Sequence, residues 1–324
     1  VTALLIDVDK IYNPRLKIPN LALMQISSYH KSNGKEVKIV KDPKTSFEFE
    51  RSWDHVYISC IFEKNRVHAE TIADTFIESG HGISPGSNIT CGGTGFGFDH
   101  DWLPEHMQKV KPDYDLYKSE YSQGFTTRGC VRTCDFCVVP KKEGHIRIWQ
   151  HPSEFHDDRF NSCMIMDNNL FGSPQKWQDD VFRWFYENGV TMISPQGWDA
   201  RLLTEWRARL LASIRHKDGQ LHFAWDDYYG EADVVDAIKL LGEYGFNLRR
   251  NISFYVLCGY NTSFEQDLYR CKRLKELGVR AYAMRYRQTP QLNALARWTA
   301  LPKLFWKIDF EDYTRNRKDY QGGS

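Results

Sequence analysis

The sequence lacks a run of some eighteen apolar residues, so no membrane-spanning helix is expected. Its opening, VTALLIDVDKIYNP, lacks the basic, apolar, small-residue order of a secretory signal, and a cytoplasmic location is the expectation. It also lacks a charge excess: 43 basic against 42 acidic residues leave a net charge of +1. That balance removes any bulk attraction to nucleic acid or to an anionic membrane, while a local basic groove stays compatible with it. No fixed-period repeat is present, and no low-complexity run beyond the closing QGGS, which excludes a solenoid. What is there is globular composition, 41% apolar and 26% charged over 324 residues. That length accommodates two ordinary domains, or one large barrel with an appendage.

Eight cysteines in a reducing compartment do not predict a disulfide framework. Five of them, Cys60, Cys91, Cys163, Cys258 and Cys271, stand singly among apolar neighbours and are expected to be small buried residues. The other three crowd into RGCVRTCDFCVVP, as Cys130, Cys134 and Cys137, a C-x3-C-x2-C run with Phe136 before the last. Structural zinc would want four protein ligands, and the nearest histidine, His145, serves only if the loop folds back. Three thiolates suit an iron-sulfur cluster equally, with one iron left open to a ligand.

Periodicity divides the chain. TALLIDV, EVKIV, HVYISCIF and NITCGG read as strands, separated by helical patterns around NLALMQISSYHKSNG and HAETIADTFIESG, which predicts a small open parallel sheet over residues 1–115. Residues 96–125, with Pro104 and Pro112 and little periodicity, read as a linker. From residue 116 to 290, six strand signals (GFTTRGC, SCMIMDNN, VTMIS, LHFAWDD, NISFYVLCGYN and VRAYAMRYRQTP) alternate with amphipathic helices. Six such units predict a partial TIM-type (β/α)6 barrel, whose chemistry sits at the C-terminal strand ends. Residues 291–324 read as a C-terminal helical extension with a polar tail. The fold class is therefore α/β.

The cysteine run, placed after the first strand of that barrel, resembles the loop of the radical S-adenosylmethionine (SAM) superfamily. The resemblance covers about residues 125–290. It implies that Cys130, Cys134 and Cys137 hold a [4Fe-4S] cluster whose open iron chelates SAM, and that one electron cleaves the sulfonium to methionine and a 5′-deoxyadenosyl radical. It implies an electron donor such as flavodoxin or ferredoxin, a substrate that the sequence does not identify, and Phe136 shielding the cluster near the adenine. The second strand of the family ends in a turn that contacts the SAM amino group. Here that turn reads MDNN, making Asp167, Asn168 and Asn169 the candidates, although Asp and Asn also favour strand-end turns for local reasons. Gln196, Asp199 and Arg201 after the third strand, and Asp226 and Asp227 after the fourth, are candidates for ribose, for the SAM carboxylate or for substrate. Ordinary loop polarity and salt bridges are the alternative. Gly259 matches a glycine that lets backbone approach the adenine, or is a simple bend. Arg285 and Tyr286 end the sixth strand and face SAM or substrate if alternation holds.

The first domain is similar to the Rossmann-like cobalamin-binding domain that precedes the barrel in one group of these enzymes. The cobalt-ligating D-x-H-x-x-G signature is absent, and His30, inside a helix pattern, reads as a solvated histidine. A degenerate domain buttressing the barrel is the expectation, with cobalamin-dependent methyl transfer as an alternative. CDFCVVPKKEGHIR also resembles the loop of tRNA methylthiotransferases, but only Cys60 and Cys91 precede it where that family carries three more cysteines. Lys141, Lys142 and Arg147, with Trp149, Trp177, Trp225 and Trp298, are candidates for a substrate path; tryptophans are otherwise core residues. The basic-aromatic text HIRIW hints at nucleotide or nucleic-acid contacts. A metal-binding scaffold is the non-enzymatic alternative.

Overall fold

The computed structural model describes residues 2–45, 53–79, 83–97 and 103–315. The chain divides into two compact units, Val1–Gly124 with Ser153–Phe160, and Phe125–Pro152 with Asn161–Ser324. Both are α/β and built on parallel sheets.

In the first unit, β1 (Thr2–Asp7), β2 (Glu36–Val40), β3 (Trp53–Ser59) and β4 (Ile83–Gly92) form one sheet in the order β2-β1-β3-β4, all parallel. The apolar run of β1 is buried on both faces, with Ala3, Leu4, Leu5 and Ile6 wholly inaccessible, as a central parallel strand requires. Leu4, Ile6, Val56 and Ile58 share one core with Ile72 and Phe76 of the helix Arg66–Ser79. Leu5 packs on the other side with Leu23 and Ile26 of the helix Leu21–Ser32, which Asn20 caps by accepting from the Leu23 amide at 3.2 Å.

The stretch expected to be a linker is instead part of this unit. Met107, Leu103 and Leu116 join the core around Leu5, and Tyr114 is buried with its hydroxyl donating to the Phe155 carbonyl at 2.6 Å. A short strand, β5 (Ser122–Gly124), follows. Pro104 and Pro112 break the helical period, so burial here proceeds through single side chains that no periodicity announces.

In the second unit, β6 (Thr127–Arg128) and β7 (Arg147–Ile148) form an antiparallel pair. β8 (Ser162–Ile165) pairs in parallel with β9 (Thr191–Ile193). β10 (Trp198–Asp199), β11 (Leu221–Ala224), β12 (Ile252–Cys258) and β13 (Arg280–Arg285) make a parallel sheet in chain order. Helices Gln175–Asn188, Glu205–Ser213, Glu231–Glu243, Phe264–Glu276 and Pro290–Ala300 separate or follow these strands. Two features differ from the sequence expectation. The strand expected through GFTTRGC is two residues long and antiparallel, and the third strand region is interrupted at Ser194–Gly197, where Pro195 has no amide for a ladder. The extension continues as Pro302–Lys307 and Phe310–Arg315; the expected polar tail, 316–324, lies outside the described residues.

Four of the five scattered cysteines, Cys60, Cys163, Cys258 and Cys271, are wholly buried, as expected, and Cys91 is half-buried. Trp225 and Trp298 belong to the core rather than to a path, each donating its indole N–H to a carbonyl, of Asp227 and Ile308. His30 departs from expectation more sharply. It is 1% exposed, its Nε2 lies 3.0 Å from the Tyr57 hydroxyl, and its ring sits 5.2 Å from that of His55. Burial first, then His55 and Lys35, lower its pKa to about 4.

Candidate functional site

The cysteine loop is closed at its base. β6 and β7 pair Thr127 with Ile148 and Arg128 with Arg147, and the Cys130 amide then donates to the Gly144 carbonyl at 3.2 Å. The loop thus folds back until Cys130 bridges His145, although the His145 side chain points to solvent. Gly129 makes this closure possible: its φ is +81°, and a Cβ there would stand 2.3 Å from the His145 carbonyl oxygen. Inside the loop the Cys137 amide donates to the Cys134 carbonyl at 3.0 Å.

Two carboxylates hold the base. Glu143, with 7% of its side chain exposed, accepts from the Gly129 amide and from Asn168 Nδ2, both at 2.9 Å, and pairs with Arg128 at 3.2 Å. Sequence reasoning missed Glu143; its one signal is its place as the lone acid in VVPKKEGHIR. Asp167 accepts from the Thr126 amide at 2.6 Å, from Thr127 Oγ1 at 2.7 Å and from Thr126 Oγ1. Burial pushes its carboxyl up to about 6 against the pull of those hydrogen bonds. The side chains of Asp167 and Asn168, expected at the SAM amino group, are therefore occupied in fastening the loop.

Asn169 turns the other way. Its Nδ2 donates to Asp199 Oδ2 at 3.3 Å and lies 3.8 Å from Cys130 Sγ, which also accepts from the Arg132 amide at 3.3 Å. Asp199 is the hub of this corner, pairing with Arg201 at 2.7 Å and with Arg132 at 3.1 Å. Burial would raise its carboxyl, but the Arg201 and Arg132 guanidiniums carry it below its ordinary value. Asp226 is raised by burial, moderated by the positive charge of Arg270 and Arg201. Burial likewise raises the Cys134 and Cys137 thiols; Arg201 opposes it at Cys134 and a Val139 backbone hydrogen bond at Cys137, while Asp226 and Cys130 add to it at both. These mutual influences place the three thiols, Asp199, Arg201 and Asp226 in one electrostatic neighbourhood.

Aromatic rings border it. Phe136 meets Tyr260 edge-on at 5.4 Å, and Tyr260 meets Tyr286 at 4.8 Å. Gly259, at φ +80°, precedes Tyr260; its amide donates to Asp267 at 2.8 Å, and a Cβ would come within 2.6 Å of Leu292. Gln196 lines a small cavity with Asp167, Asn168, Asn169, Ser194 and Trp198. Arg285 stands apart from this network: it is exposed and donates to Asn293 on the following helix.

No family model matches the chain, and no curated protein matches it. The chemistry of the donors therefore carries the reading. Three soft thiols on one loop, all half-buried, fit a thiolate-held iron-sulfur group better than a hard cation. Among the described residues no three His, Cys, Asp or Glu side chains stand close enough together to hold a metal ion. Holding a cluster thus requires the three cysteine side chains to turn toward one another.

Proposed function

We propose that the chain is a radical SAM enzyme with one [4Fe-4S] cluster held by Cys130, Cys134 and Cys137, in a partial barrel formed by the second unit. The first unit is then a degenerate cobalamin-binding-like domain. The observation that carries the proposal is the convergence, at the C-terminal ends of parallel strands, of the closed C-x3-C-x2-C loop with Asn169, Asp199, Arg201 and Asp226. When bound, the cluster supplies the single electron that cleaves the SAM sulfonium. The protein's own part is placement. Glu143 and Asp167 fix the loop base, Asn169 ties Cys130 to the Asp199–arginine hub, and Arg201 offers positive charge to a carboxylate. Phe136, Tyr260 and Tyr286 present ring faces and edges to a flat base. With one electron from a donor of the flavodoxin or ferredoxin class, SAM would be cleaved to methionine and a 5′-deoxyadenosyl radical, which would take a hydrogen atom from the substrate to give 5′-deoxyadenosine.

The test is anaerobic. The chain is reconstituted with iron and sulfide, SAM and dithionite are added, and 5′-deoxyadenosine is assayed beside a variant with all three loop cysteines changed to alanine. Product from the parent that vanishes in the variant is the expected result. A colourless, zinc-loaded protein without product would replace this reading with a metal-binding scaffold.

A further inference from the structure

The two faces of the β10–β13 sheet are unlike. On one, Phe223, Phe254, Val256, Ala281 and Ala283 are buried. On the other stand His222, Tyr255, Leu257, Tyr282 and Met284, with Tyr255 paired in register to Tyr282 and Leu257 to Met284. Tyr282 is 40% exposed and Met284 45% exposed. Water against apolar strand residues is unfavourable by about 25 cal/mol per Å2, and an open apolar patch of this kind marks a contact site.

The chemistry of the face narrows its occupant. Its positions on β12 and β13 carry no carboxylate or lysine, and Arg280 at the strand start turns away to donate to the Thr299 and Ala300 carbonyls; the Asp199 carboxylate, in register at the β10 end, is held by Arg201 and Arg132. The polar atoms are mostly engaged: the Tyr255 hydroxyl donates to Pro195 O at 3.2 Å, and His222 Nδ1 lies 2.5 Å from Ser253 Oγ. Burial, then Arg280, lower the His222 pKa, which favours the neutral ring. Among the described residues the Tyr282 hydroxyl has no hydrogen-bond partner, leaving one polar handle on an apolar wall. A peptide adding to the β13 edge is disfavoured, because the Ala283 amide already donates to Thr299 Oγ1 at 3.0 Å. The face also runs into the site: the Tyr286 amide donates to the Cys258 carbonyl at 2.9 Å, and Tyr286 meets the Tyr260–Phe136 rings.

We infer that this open face seats the substrate, and that the substrate is an uncharged, largely apolar small molecule with a flat ring held against Tyr282 and Met284. Calling the ligand a substrate rests on the radical SAM reading; the binding itself does not. Ring-to-ring and sulfur-to-ring contacts suit these side chains, and around Tyr282 and Met284 no charged group of β12 or β13 on this face is free to compensate an ion, Asp199 at the β10 end being paired already.

The probe is neutral N-phenyl-1-naphthylamine, titrated by fluorescence into the full chain free of iron and SAM, beside its sulfonated anionic relative 8-anilinonaphthalene-1-sulfonate. Saturable binding of one neutral probe is expected, with the anion at least about tenfold weaker. Tyr282→Ala and Met284→Lys should each weaken the neutral probe by about tenfold or more, with the circular dichroism spectrum unchanged, and Tyr186→Ala, on an exposed helix site elsewhere, should leave it unchanged. Met284→Gln, closer in size, repeats the test should the lysine variant fail to fold. Equal binding of the anion, or neutral binding indifferent to Tyr282 and Met284, overturns the inference and leaves 5′-deoxyadenosine formation standing. Probe binding as described without 5′-deoxyadenosine formation overturns the enzymatic reading instead.

Discussion

The two units share parallel strands but differ in what their carboxyl ends do. In the first unit the strand order reverses between β1 and β3, where an open α/β sheet offers its crevice. The protein's own side chains fill that crevice. Asp9, wholly buried, accepts from the Ile61 and Phe62 amides and from Asn65 Nδ2, while Ser59 is bonded by Asn20 at 2.8 Å. Gly93 and Gly95, just past β4, lie against Cys60: a Cβ would come within 2.3 Å of its carbonyl oxygen and 2.7 Å of its sulfur, respectively. In the second unit the strand ends stay accessible, with the Arg132 and Arg201 side chains 35% and 41% exposed beside half-buried thiols. One architecture thus has one set of ends closed and one open.

The largest expected effects come from the groups that make these ends rigid. Arg270 is wholly buried, pairs with Asp267 at 2.7 Å and donates to the Trp225 and Leu257 carbonyls. Arg270→Met strands a buried carboxylate and should cost about 3–5 kcal/mol, read as a lowered urea midpoint. Asp9→Ala leaves three donors without their acceptor in the first unit and should cost less, about 1–3 kcal/mol. If the Asp9 variant is neutral, the crevice is not closed in the way described, and the comparison fails at its first unit.

Acid should move the two units in opposite directions. The folded His30 titrates near 4 against an ordinary 6.5, so the unfolded chain binds the extra proton between those values. Its contribution is complete above pH 6.5 and is lost as pH falls toward 4. The Asp167 carboxyl is raised from 3.8 to about 6, so its contribution is complete below 3.8 and is lost as pH rises through 6. Hydrogen exchange followed segment by segment from pH 4 to 6.5 should show His30 contributing increased protection of the first unit with rising pH and Asp167 decreased protection of the second. His30→Gln and Asp167→Asn should each remove the corresponding trend. Trends that persist in these variants would assign them to other groups.

Strands were legible because apolar runs such as TALLIDV and NISFYVLC meet the elementary demand of a buried parallel strand. The cysteine loop was legible because three thiols at close spacing serve few structural purposes. What the sequence did not disclose is pairing at a distance. Tyr114 reads as linker until Phe155 is beside it, Glu143 reads as surface charge until Gly129, Asn168 and Arg128 surround it, and His30 reads as solvated until β3 brings Tyr57 and His55 over it. Asp167 shows the same limit from the other side. Its place at a strand end was visible, but its commitment to Thr126 and Thr127 depends on which loop folds over it.

The smallest effect sharpens the boundary of the open end. Arg285 and Arg201 both follow from the sequence as strand-end arginines, yet they have different surroundings. Arg201 is bound to Asp199 and within reach of the charge of Cys134 and Asp226, whereas Arg285 is exposed with Asn293 as its partner. An exposed side chain with one hydrogen bond contributes little, so Arg285→Ala should change stability by no more than about 0.5 kcal/mol and leave 5′-deoxyadenosine formation intact. Arg201→Ala should lower that formation, because it removes one of the two guanidiniums of the Asp199 hub while leaving the loop base untouched. Loss of product in the Arg285 variant would mean that the side chain leaves Asn293 when SAM or substrate arrives, and would extend the open end to the edge strand.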